Sequence, residues 1–134
     1  MSTGIAERTM RRMVNLLLIG AGGFFGAISR YGIGVFVERF PSGSKFPYAT
    51  LAVNLIGCLL IGVAFGFAAR EAISKPAGLL LVTGFLGGFT TFSTFGLDTL
   101  KLLHSGSVAP AMIYVLASVI AGTALVAAGY GIAK

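Results

Sequence analysis

Gly84-Phe85-Leu86-Gly87-Gly88-Phe89-Thr90-Thr91-Phe92-Ser93-Thr94-Phe95 lies inside a charge-free run from Pro76 to Leu97. That run has 22 residues, and a helix needs roughly 20 apolar residues to cross the hydrocarbon core of a bilayer. Its centre nevertheless joins Gly87-Gly88 to four hydroxyl residues, a composition that weakens helix propensity and offers side chains that compete for the backbone. Unwound backbone survives at membrane depth only where protein or a wet cavity satisfies its N–H and C=O groups. The stretch therefore predicts a spanning helix broken near its middle, beside a buried site for an ion or polar solute.

Working outward, the rest of the chain reads the same way. Its 134 residues are 56% hydrophobic and 10% charged, with mean hydropathy +0.93. Those values leave too few polar side chains to solvate a globular surface, which places the chain among single-domain integral membrane proteins. Charge-free segments run over 13–29, 46–69, 76–97 and 102–133. The first is short, but Arg30 is followed by a second apolar run, Tyr31 to Val37. The expected fold is all-α, with four transmembrane helices over about 13–38, 47–69, 77–103 and 108–132, the third of them broken. A net charge of +6 reads as membrane-flanking basic residues rather than as a nucleic-acid surface. Arg8, Arg11 and Arg12 before an apolar run resemble a signal peptide, yet Gly20, Gly22, Gly23 and Gly26 look more like helix packing than a cleavage region. The one cysteine, Cys58, sits mid-span and reads as apolar filler, offering no intrachain disulfide and no Cys-based metal site.

Small residues recur at helical spacing in Gly22/Gly26, Gly62/Gly66, Gly84/Gly88 and Ser118/Gly122. Such pairs let membrane helices approach closely. The first connection carries Pro41, Gly43 and Pro47 and reads as a turn-rich loop, while the second and third are short. With four spans, Arg8, Arg11, Arg12, Arg70, Lys75 and Lys134 fall on one side and Arg39, Lys45 and Lys101 on the other. Six against three favours cytoplasmic termini; so weak a bias also suits insertion in both orientations. Four helices cannot easily enclose a polar path while also facing lipid on every side, so a homodimer is the economical expectation.

Catalysis is not expected. The acids are Glu7, Glu38, Glu71 and Asp98, the one histidine is His104, and they form no spaced cluster. Asp98 and Lys101, three apart, are placed to pair at the end of the third span. What the spans do hold is uncharged hydrogen-bonding groups. Thr50 and Asn54 share a face of the second span; the Asn54 amide either glues helices together or donates in an ion path. Tyr114 and Ser118 share a face of the fourth, and a serine there either bonds back to its own helix or joins such a path. Phe92 and Phe95 are either packing or, set among Thr91, Ser93 and Thr94, ring edges that receive a dehydrated anion, since a benzene ring is positive at its edge. Arg30 either snorkels to the interface or collects anions at a vestibule mouth.

The motifs Gly22-Gly23-x-x-Gly26-Ala27-x-x-Arg30-Tyr31, Thr50-x-x-Val53-Asn54-x-x-Gly57 and Gly84-Phe85-x-Gly87-Gly88-x-Thr90-Thr91-Phe92-Ser93-Thr94-Phe95 resemble those of the Fluc/CrcB family of fluoride channels. The third motif is the specific one, and the resemblance covers essentially the whole chain. It implies an antiparallel, dual-topology homodimer of four-helix protomers with two fluoride pathways, each built from both subunits. It further implies that Phe92 and Phe95 line the pore, that Asn54 donates a pore hydrogen bond, that Tyr114 and Ser118 form part of a polar track, and that Arg30 is the vestibule arginine. Backbone carbonyls of Gly87 and Thr90 would hold a central structural sodium ion. The family's polar track continues with a serine one turn beyond Ser118, where this chain has Gly122.

The implied function is passive, selective fluoride export across the bacterial plasma membrane, which lowers fluoride toxicity without a nucleotide or nucleic-acid partner. The remaining hydroxyls, those of Thr50, Thr91, Ser93 and Thr94 included, would help replace fluoride's hydration shell, since a small anion is costly to dehydrate. Two other readings stand beside this one. A small four-helix, dual-topology multidrug exporter would want a carboxylate embedded mid-span. A structural membrane subunit would explain the glycines and leave the Gly-Thr-Phe-Ser cluster unaccounted for.

Overall fold

The computed structural model describes residues 2–39 and 45–134, with the side chains of residues 2 and 3 excepted. Pro41 and Gly43 of the first connection lie outside the described residues. No strand occurs among the described residues. The elements are α1 (Ser2–Glu38), α2 (Tyr48–Ala69), a third span built from pieces, and α6 (Val108–Ala133). The pieces are α3 (Lys75–Gly78), a π-helix (Leu79–Leu86), α4 (Gly87–Phe89) and α5 (Phe92–His104). Among the described residues, four helical segments, counting the third span as one from Lys75 to His104, are long and apolar enough to cross a membrane.

Local chemistry ends the helices cleanly. Ser74 caps α3 by accepting from the Ala77 N–H, with Pro76 in the first turn where its missing donor costs nothing. After α2 the chain turns through Glu71 at φ +56°, with Glu71 N–H donating to the Ala68 carbonyl and Ala72 N–H to that of Phe67. After α5 the same pair of bonds forms around Gly106 at φ +73°: Gly106 N–H donates to Leu103 and Ser107 N–H to Leu102. Both are left-handed C-caps that satisfy orphan carbonyls. Glycine takes this conformation freely and Glu71 does not.

Two pairings organise the bundle. α2 runs along α6, and α1 runs along the π-helix and α4. The second contact is backbone against backbone: a methyl group at Gly26 would collide with the Phe85 carbonyl oxygen, so this crossing requires glycine. The first half of the third span is thereby locked against α1. A core of Leu102, Ala111 and Tyr114, flanked by Phe46, Leu51 and Phe95, fills the opposite end. Large apolar side chains such as Leu17, Phe25, Phe65, Ile120 and Ile132 point outward, as a lipid-facing surface demands.

The break falls at Thr90 (φ −79°, ψ 159°) and Thr91 (φ −150°, ψ 116°), two extended residues between α4 and α5. Gly87 and Gly88, the centre of the weak stretch in sequence, are helical. A Cβ at Gly88 would stand 2.5 Å from the Gly23 carbonyl oxygen, so this glycine serves close approach to α1 and the interruption comes two residues later.

Candidate functional site

The two extended threonines strip helical partners from the backbone around them, and the structure shows where each bond goes. The Thr91 N–H donates to Asn54 Oδ1 at 2.8 Å, and Asn54 Nδ2 donates back to the Thr91 carbonyl at 3.1 Å. Asn54 thus holds the unwound residue by both backbone groups, as a neighbouring strand would. The Thr91 hydroxyl caps α5, accepting from the Thr94 N–H at 3.2 Å and donating to Thr94 Oγ1 at 3.0 Å. It also lies 3.4 Å from Ser93 Oγ. The Thr90 N–H and hydroxyl both donate to the Leu86 carbonyl, at 3.0 Å and 2.9 Å.

These diversions have a consequence for two carbonyls. In an unbroken helix the Thr91 N–H would bond the Gly87 carbonyl and the Thr94 N–H that of Thr90. Here the first goes to Asn54 and the second to the Thr91 hydroxyl. Gly87 and Thr90 therefore present carbonyl oxygens without their usual helical donors, in a chain with no cluster of three or more His, Cys, Asp or Glu among its described residues.

Beside the break lies a cavity of about 480 Å³, whose wall includes Asn54, Cys58, Thr83, Gly87, Thr90, Thr91, Phe92, Phe95 and Ser118. Phe92 is 84% exposed, with its ring 5.6 Å from that of Phe95 and tilted by 35°. Phe95 in turn leans on Tyr114, ring to ring at 5.2 Å. The Tyr114 and Ser118 hydroxyls are both buried, and Ser118 Oγ finds no hydrogen-bond partner among the described residues. Ser118 is thus not bonded back to its own helix. An isolated buried hydroxyl carries a desolvation cost, which makes Ser118, on the cavity wall, the strongest sign of a polar visitor.

Toward the Lys101 end, the Thr50 hydroxyl donates to Asp98 Oδ2 at 2.7 Å, and Lys101 Nζ lies 3.5 Å from Asp98 Oδ1. The Asp98 side chain is only 14% exposed, so it is more than the surface partner of Lys101 that its spacing suggests. Ser93, Thr94, Tyr114 and Arg30 stand outside the cavity wall. Arg30 is partly exposed and makes no ion pair among the described residues. Sequence spacing does not reveal the Thr50–Asp98 bond, which joins positions 48 apart. Nor does it place Cys58 and Thr83 on the cavity wall, because either could equally face lipid.

The family described as "CrcB-like protein, Camphor Resistance (CrcB)" matches residues 17–130. A protein of Chloroflexus aurantiacus named "Fluoride-specific ion channel FluC" is 46% identical over 124 residues, covering 91% of this chain and 97% of its own length. Proteins of the same name from Methylobacillus flagellatus and Agrobacterium fabrum are each 42% identical over 123 residues, covering 91% of this chain and 96% and 98% of their own lengths.

Proposed function

The chain belongs to the CrcB-like family, and from that premise we infer that it is a fluoride channel, a multi-pass protein of the bacterial plasma membrane that lets fluoride leave the cytoplasm down its gradient. It is a channel and not an enzyme. The observation that carries this reading beyond family likeness is the break at Thr90 and Thr91, clamped by Asn54 and opening on a cavity shared by Phe92, Phe95 and Ser118.

Fluoride is small and strongly hydrated, so it enters such a cavity only where donors replace water. Ser118 offers an uncommitted hydroxyl, and the Asn54 amide has a second N–H beyond the one given to Thr91. The hydroxyls of Thr91, Ser93 and Thr94 cluster at the start of α5. The rings of Phe92 and Phe95 present positive edges to an anion without a fixed cation that would trap it. Tyr114 extends the route toward the Lys101 end, with Arg30 in the vestibule role, while Thr50 lies on the same route with its proton committed to Asp98.

Two finer statements belong to the same proposal. The protein works as an antiparallel, dual-topology homodimer, a reading supported by the outward-facing Phe92 beside the break and by the weak charge bias between the two ends. Its dimer centre holds a sodium ion on the Gly87 and Thr90 carbonyls. Those oxygens, relieved of their helical donors, suit a hard cation, and a two-fold axis would supply each of them twice. When bound, sodium would supply the positive charge that draws carbonyl oxygens of two broken spans together. The exporter reading wants a carboxylate free to exchange protons; Asp98 is engaged by Thr50 and Lys101, and no observation favours it.

Expression in bacteria lacking their own fluoride exporter tests the function. Growth in fluoride-containing medium, where cells carrying an empty vector stall, is the expected result. Equal stalling with the protein present in the membrane would contradict it.

A further inference from the structure

We propose that Thr83 supplies the hydroxyl that carries the anion past Gly122, where α6 has no donor to offer; the proposal rests on the channel reading above. The starting point is a habit of this chain. Thr9, Thr99 and Thr123 each donate their hydroxyl to the carbonyl four residues back, at 2.9, 2.8 and 2.7 Å, and Thr90 does the same toward Leu86. A threonine bonded in this way is spent and gives nothing to a ligand. Thr83 lies in the π-helix Leu79–Leu86, where the backbone repeat is five rather than four. Thr83 is exposed, its hydroxyl makes no hydrogen bond among the described residues, and it is one of the residues at the cavity wall together with Asn54, Ser118 and Phe92.

Across the cavity, α6 contributes Ser118 and Val119 to the wall but not Gly122, so beyond Ser118 it offers no hydroxyl there. Ser118 Oγ is buried and without a partner among the described residues, so the polar wall of α6 reaches at least that far. One turn on, Gly122 has no side chain, and the place where its Cβ would stand is 3.2 Å from Cys58 Sγ. The thiol of Cys58, a weak donor, occupies the notch. Thr123 cannot substitute, because its hydroxyl is bound to the Val119 carbonyl at 2.7 Å. Thr83 precedes the break, on the Lys75 side, and Gly122 lies on the same side, since α6 beyond it packs on the Gly62 and Gly66 end of α2 that leads to Arg70. A dehydrated anion leaving Ser118 in that direction meets Thr83 as an uncommitted hydroxyl.

The experiment compares fluoride efflux from liposomes for four forms of the protein. Thr83→Val removes the hydroxyl at nearly constant volume and is expected to slow efflux about tenfold, while Thr83→Ser keeps efflux within about threefold of the starting protein. Adding Gly122→Ser and Cys58→Ala to Thr83→Val restores the hydroxyl from α6, with room made for it, and is expected to recover most of the lost rate. Unchanged efflux in Thr83→Val, or equal loss in the Val and Ser variants, would overturn the proposal. Absence of efflux from the unaltered protein would instead strike the channel reading itself. A second measurement requires no folding-sensitive variant. A small methanethiosulfonate reagent on Cys58, the chain's one cysteine, is expected to block efflux of the unaltered protein, with the Cys58→Ala protein indifferent to the reagent. No labelling, or labelling by mass spectrometry without loss of flux, would overturn the placement of the path at this notch.

Discussion

Asn54 and Thr91, on different spans, hold each other by two hydrogen bonds, one in each direction between a side-chain amide and a backbone unit. An asparagine is suited to this because its amide carries the same donor and acceptor as a peptide group. Without it, the Thr91 N–H and C=O would lose both of these partners at membrane depth. Asn54→Leu is expected to lower stability by about 1–3 kcal/mol, the cost of leaving those groups unpaired, measured by reversible unfolding in detergent. A loss below about 0.5 kcal/mol would be that of an ordinary surface position and would show that the clamp is dispensable.

The two phenylalanines of the break should separate function from packing. Phe92 is 84% exposed, whereas Phe95 rests on Tyr114. Phe92→Ile is expected to cut fluoride efflux at least tenfold while leaving the protein folded and the dimer intact. Phe95→Ile should slow efflux and also cost about 1–2 kcal/mol through its disturbed contact with the Tyr114 core. Unaltered efflux in Phe92→Ile would reduce that ring to filler.

The crossing of α1 and the third span makes a sharp stability prediction. At Gly26 an added methyl meets the Phe85 carbonyl oxygen, whereas at Gly20 nothing stands within 4 Å. Gly26→Ala is expected to destabilise by about 1–3 kcal/mol or to prevent folding. Gly20→Ala should be neutral or stabilising by about 0.5–1 kcal/mol, as glycine in a helix interior is entropically costly. Similar behaviour of the two variants would mean that the backbone contact is looser than the structure draws it.

Sodium dependence follows from the two relieved carbonyls. With sodium replaced on both sides of the membrane by a large organic cation, efflux is expected to fall several-fold and the unfolding midpoint to drop, because a ligand that binds only the folded state adds to its stability. Indifference of both readouts to the replacement would remove the cation from Gly87 and Thr90.

How far these features could be read in advance depends on whether they are local. The four spans were legible because charge-free length is a property of consecutive residues. The interruption of the third was legible from Thr90, Thr91, Ser93 and Thr94, but its position was not. Gly87-Gly88 looked like the weak point, yet a membrane glycine can serve either unwinding or close approach, and only the α1 backbone at Gly23 decides for the latter at Gly88. The shared faces of Thr50 with Asn54 and of Tyr114 with Ser118 followed from helical spacing. Their partners did not: Asn54 meets Thr91 across 37 positions and Thr50 meets Asp98 across 48. The π-helix, and with it the free hydroxyl of Thr83, left no mark in the run Leu79 to Leu86, which is apolar like any spanning segment.

The most direct test of the central claim is fluoride release from liposomes holding the purified protein, followed with a fluoride electrode in the presence of sodium. Release far faster than from protein-free liposomes, driven by the ion gradient alone, is the expected result. Folded protein that releases fluoride no faster than empty liposomes would contradict it.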